Sequence, residues 1–106
     1  MSDILAQVAQ VIEARREADP DDSYVASLYA KGRPAIAAKV GEEAVETVVA
    51  ALAEDDAALV HEAADLWFHV LVLLAERGLG PAEVEAELAR RFGISGHVEK
   101  RGRGSA

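Results

Sequence analysis

The run from His61 to Ala75, HEAADLWFHVLVLLA, restricts the possible folds more than any other part of the chain. At about 100° per residue, Leu59, Leu66, Val70, Leu73 and Leu74 fall on one face, while Trp67, Phe68, Leu71 and Val72 fill the others. A helix that is apolar all round has to be buried. Yet Glu62 falls within about 60° of Leu59, Leu66 and Leu73, and Asp65 follows one turn later. Burying an isolated carboxylate there costs several kcal/mol. Protonation relieves one acid. Two acids a turn apart are better relieved by a bound cation, the plainer alternative being a partly wet helix whose acids reach solvent.

The remaining chain reads as further helices. Ile4, Leu5, Val8, Val11 and Ile12 recur at helical spacing from Ile4 to about Glu17, ahead of the turn-forming Asp19-Pro20-Asp21-Asp22. Asp22 or Ser23 then caps a short helix over Tyr24 to Lys31, which Gly32 ends. Pro34 suits the first turn of a third helix running to about Ala53, with a core stripe of Ile36, Val40, Ala44, Val48 and Leu52. Gly41 lies inside that helix at a cost of up to about 1 kcal/mol, which a closely packed neighbour would explain. The short link Glu54-Asp55-Asp56 makes the third and fourth helices an antiparallel hairpin. Gly78 and Gly80-Pro81 mark the next break, followed by a fifth helix over Pro81 to Phe92 with Val84, Leu88 and Phe92 on one side. Residues 1–93 thus form one all-α domain, an antiparallel bundle of four to five helices. Residues 94–106, Gly-rich and basic, are expected to be a mobile tail. Five such helices cannot cover a central helix that is apolar on every side, so a homodimer is expected to complete the bundle.

Charge narrows the function. A net charge of −8 over 106 residues argues against nucleic acid as a partner. Without cysteine there are no disulfides, thiolate zinc sites or Cys nucleophiles. The N-terminus lacks the pattern of a signal peptide, and the apolar run from Leu66 to Ala75, broken by His69, is too short to span a bilayer. A cytoplasmic protein with no membrane partner is expected.

Two acid pairs share one spacing, Glu43-x-x-Glu46 on the third helix and Glu62-x-x-Asp65 on the fourth. Residues three apart are neighbours on a helix surface, and the short link folds the two helices together, so four carboxylates converge on one seam. Hard oxygen ligands of this kind suit Mg²⁺ or Mn²⁺ better than zinc. Glu42 adjoins them as a further ligand or a general base. A di-iron bundle would need Glu-x-x-His motifs, which are absent. His69, one turn beyond Asp65, reads as a core or interface histidine bonded to a carboxylate, or as an outer partner of Asp65, whereas His61 is expected to be exposed. Lys31, Arg33 and Lys39 form a basic cluster, either plain surface charge or phosphate contacts beside the metal. Arg90 and Arg91 read as favourable charges at a helix C-terminus.

These residues resemble a known family. Ser23-Tyr24, Leu28, Lys31-Gly32, Ile36 and Lys39-Val40-Gly41-Glu42-Glu43-x-x-Glu46, with Glu62-Ala63-Ala64-Asp65-Leu66-Trp67-Phe68-His69, are similar to phosphoribosyl-ATP pyrophosphohydrolases of the all-α NTP pyrophosphatase superfamily. The likeness covers about residues 4–93, with Val25 and Trp67-Phe68 as small departures. It implies Mg²⁺-dependent hydrolysis of 1-(5-phosphoribosyl)-ATP to 1-(5-phosphoribosyl)-AMP and pyrophosphate by a helical dimer. Glu43, Glu46, Glu62 and Asp65 would be the metal ligands, and Lys31 and Lys39 the phosphate contacts. In many organisms a zinc cyclohydrolase domain is fused to this one, and the short, cysteine-free chain is expected to lack it. Two other readings stand beside this one: a housekeeping pyrophosphatase acting on non-standard nucleoside triphosphates, and a helical interaction module whose acids only confer solubility.

Overall fold

A computed structural model describes residues 3–94 of the chain. Those residues form five helices and no strand: α1 (Ile4–Arg15), α2 (Tyr24–Lys31), α3 (Arg33–Ala53), α4 (Asp56–Glu76) and α5 (Pro81–Arg91). The expected tail from residue 95 onward lies outside the described residues.

Local chemistry sets the boundaries. Ser23 Oγ accepts from the Ala26 N–H at 3.1 Å and starts α2. Gly32 ends α2 with φ +94°, a left-handed value that only glycine adopts cheaply, and Pro34 sits in the first turn of α3 immediately afterwards. Asp55 Oδ1 accepts from the Ala58 N–H at 2.9 Å and starts α4. Gly78, also at positive φ, closes α4 by donating to the Ala75 carbonyl.

The core lies at one end of the molecule. Ile12, Val25, Leu28, Ile36, Leu71, Val72 and Ala75 are buried together where α1, α2, the start of α3 and the end of α4 meet. Ile12, Ile36 and Val72 are wholly enclosed, each worth about 1.5–3 kcal/mol of apolar burial. Arg16 pins this end: its guanidinium donates to the Ala75 carbonyl at 2.9 Å and lies 4.5 Å from the centre of the Tyr29 ring. Arg33 at the start of α3 pairs with Glu76 at the end of α4, 2.6 Å away. The antiparallel α3–α4 hairpin extends beyond the core. The radius of gyration is accordingly 16.2 Å, against about 13 Å for a well-rounded domain of 100 residues.

The expected core stripe of α3 holds only at its start. Ile36 is buried and Val40 and Ala44 half-buried, but Val48 and Leu52 are exposed, Leu52 at 83%. Steps of four residues advance about 40° beyond a full turn each time, so the series walks off the core side. The buried line is Ile36, Glu43 and Ala50, which repeats every seven residues. On α4 the enclosed residues are His69, Leu71, Val72 and Ala75, while Leu59, Leu66, Val70, Leu73 and Leu74 are half-buried and Trp67 is exposed. No atom lies within 4 Å of where a side chain on Gly41 would begin, so the close neighbour expected there is absent among the described residues. By length and composition the whole of α4 could cross a membrane, contrary to the expectation drawn from Leu66–Ala75 alone. Here it instead packs against α1 and α3. Its central acids would each cost about 2.5–3.5 kcal/mol in hydrocarbon.

Candidate active site

The seam between α3 and α4 gathers the predicted acids. Glu43 points inward from α3 and is only 4% exposed, which is rare for a carboxylate. Its Oε1 has no hydrogen-bond partner, and neither has the buried Oε1 of Glu62 across the seam on α4. Orphaned buried oxygens of this kind need an explanation. One carboxylate oxygen from each of Glu43, Glu62 and Asp65 lies within 4.8 Å of the other two. Three negative groups at that spacing repel strongly in a poorly solvated place. Carboxylate oxygens are the hard donors that a divalent cation such as Mg²⁺ or Mn²⁺ takes, so the donor set fits one.

Electrostatics agree. Burial pushes the Glu62 carboxyl above its ordinary range, and the neighbouring Glu46 carboxylate adds to the shift, with His61 opposing it. Glu46 itself is exposed and lies outside the group of three, flanking it on the Glu62 side. Lys39 is the cation of the site. Its Nζ is 3.5 Å from Glu43 Oε2 and 3.7 Å from Glu42 Oε1, and its pKa is raised, foremost by the Tyr24 oxygen and then by the two glutamates. Glu42 stands at the exposed rim.

A profile of the phosphoribosyl-ATP pyrophosphohydrolase family matches residues 5–92. The chain is also 54% identical over 101 residues to the phosphoribosyl-ATP pyrophosphatase of Methylococcus capsulatus, covering 95% of this chain and 96% of that protein. The chain belongs to the phosphoribosyl-ATP pyrophosphohydrolase family. It is a phosphoanhydride hydrolase of that family.

Of the other sequence candidates, some lie beside the seam and some do not. Lys31 is exposed at the end of α2, and Arg33 is held by Glu76, about 15 Å along α3 from Glu43. His61 is exposed, with Nε2 3.5 Å from Asp65 Oδ2. His69 is buried but touches no carboxylate oxygen. Nδ1 lies 2.7 Å from the Asp65 main-chain carbonyl, and Nε2 lies 2.7 Å from the Tyr24 hydroxyl. Arg90 and Arg91 both pair with Glu87 within their own helix. Tyr24 is the residue whose place at the site sequence reasoning missed. Its pKa is raised by burial, lowered by Lys39 and raised again by Glu43 and Asp65, so its oxygen lies in the field of the site. Its position directly after the α2 cap, within the Ser23-Tyr24 pair of the family resemblance, was the cue in the sequence.

Proposed function

We propose that this protein hydrolyses 1-(5-phosphoribosyl)-ATP to 1-(5-phosphoribosyl)-AMP and pyrophosphate, the second step of histidine biosynthesis, with Mg²⁺ as its cation and Mn²⁺ as a substitute. The observation that carries the metal reading is the group of three carboxylates within 4.8 Å, two of whose buried oxygens lack partners. Family membership and the relative's activity support the substrate.

In the reaction a water oxygen forms one new P–O bond, and the anhydride P–O bond to the departing pyrophosphate breaks. Glu43, Glu62 and Asp65 would hold the cation, with Glu46 completing the acidic wall. A divalent ion there neutralises the polyphosphate and lowers the pKa of a bound water. Lys39 exchanges its glutamate partners for a phosphate oxygen as substrate enters. Glu42, at the rim, takes the proton of the attacking water. Lys31 contacts the substrate from the end of α2, and Arg33 does so on leaving Glu76.

The working unit is a homodimer in the cytoplasm, acting on a small nucleotide, with neither nucleic acid nor membrane as a partner. The deciding experiment follows pyrophosphate release from phosphoribosyl-ATP and from ordinary and non-standard nucleoside triphosphates. Turnover of phosphoribosyl-ATP alone is expected. Brisk hydrolysis of the free nucleotides with none of phosphoribosyl-ATP would make this a housekeeping pyrophosphatase instead.

A further inference from the structure

The link Tyr24–His69–Asp65 runs from α2 to the carboxylate seam. A carbonyl oxygen only accepts, so the 2.7 Å contact from His69 Nδ1 to the Asp65 carbonyl places a hydrogen on Nδ1. In the neutral ring Nε2 then presents a lone pair, and the Tyr24 hydroxyl, 2.7 Å away, donates to it. The imidazole is enclosed, at 4% exposure, and sits edge-on to both Tyr24 and Phe68, with ring centres 5.7 and 5.1 Å apart. Neither the tautomer nor the ring orientation is therefore free. Asp65 belongs to the same turn of α4 as His69 and contributes one of the three converging oxygens.

We infer that Tyr24 and His69 are positioning residues that fix the Asp65 turn of α4, so that its carboxylate meets Glu43 and Glu62 ready to hold a divalent cation. The inference rests on the metal reading of that seam. Neither side chain is one of the three carboxylates; the tyrosine sets the tautomer, and the imidazole holds the main chain. Outer partners of this type typically govern metal affinity by about 10- to 100-fold.

A second tyrosine supplies the control. Tyr29, also on α2, donates to the Val72 carbonyl of α4 at 2.8 Å, about two turns beyond Asp65. Both phenylalanine variants lose one hydrogen bond between the same two helices, so both lower the melting temperature. Only one of the two bonds leads to the seam.

The test is Mn²⁺ binding to the full-length metal-free protein, read from the electron paramagnetic resonance signal of free Mn²⁺. Tyr24→Phe is expected to weaken binding about tenfold. Tyr29→Phe should leave it at the wild-type level. His69→Asn, which keeps a donor near the Nδ1 position, should retain more affinity than His69→Leu. Unchanged affinity in Tyr24→Phe, or equal weakening in the two tyrosine variants, overturns the positioning role while leaving the carboxylate site intact. Failure of the wild-type protein to take up Mn²⁺ overturns both.

Discussion

At Glu62 the proposed function and stability pull in opposite directions. Its carboxylate is half-buried in an otherwise apolar helix, has one oxygen without a partner and stands against Glu46. Glu62→Gln removes that repulsion. The metal-free variant is expected to melt at a higher temperature by circular dichroism, while Mg²⁺-dependent pyrophosphate release falls by roughly 100-fold, the scale of losing a metal contact. A lower melting temperature with full turnover would remove Glu62 from the site. Tyr29 gives a prediction of a different kind. Burial raises its pKa, with Arg16 opposing and Glu13 adding. As pH rises through the ordinary tyrosine value the unfolded chain ionises first, so the folded state binds more protons and stability falls until the folded pKa is reached. Tyr29→Phe should lose about 1 kcal/mol near neutral pH and show a shallower decline above pH ~10 in urea melts.

Among the elements, α3 and α4 bear the acids of the proposed site, and the Asp55 cap starts the second of them. Asp55 is the hinge of the hairpin, since its side chain satisfies the Ala58 N–H at the first turn of α4. Asp55→Ala should cost about 1 kcal/mol. That corresponds to a fall of about 4–8 °C in Tm for a domain of this size. Turnover at 25 °C should be unchanged, because the seam lies more than a turn from the cap. A loss of activity without a loss of stability would show that the hairpin register is set elsewhere.

The whole molecule leaves much apolar surface uncovered among the described residues. Val45, Val48, Leu52 and Val60 on the far part of the hairpin are all more than half exposed, and so is Trp67. Between α1, α4 and α5, an apolar hollow of about 410 Å³ lined by Leu5, Trp67, Val70, Leu74, Val84 and Leu88 opens to the surface. Exposed apolar area on this scale marks an interaction face. The proposed homodimer covers it, so light scattering should give twice 11.2 kDa. Val48→Asp should yield a monomer with a markedly lower Tm. A wild-type protein that is monomeric at micromolar concentration would refute the assembly.

Much of this was legible in the residues alone. Helix boundaries followed from capping groups, glycine and proline, which act within four or five positions, and α2 was placed to the residue. The all-α class followed from helical periodicity, and the pairing of α3 with α4 from the short link Glu54-Asp55-Asp56, because a short link leaves adjacent helices only one way to pack. Which acid is buried did not follow. A helical wheel ranks faces but does not say which face meets a neighbour, so Val48 and Leu52 were assigned to the core while Glu43 held the inward position. Nor could spacing reveal that Tyr24 and His69, 45 residues apart, share a hydrogen bond. Local chemistry chose the helices; only their packing chose which polar atoms lost water, and the proposed site rests on those atoms.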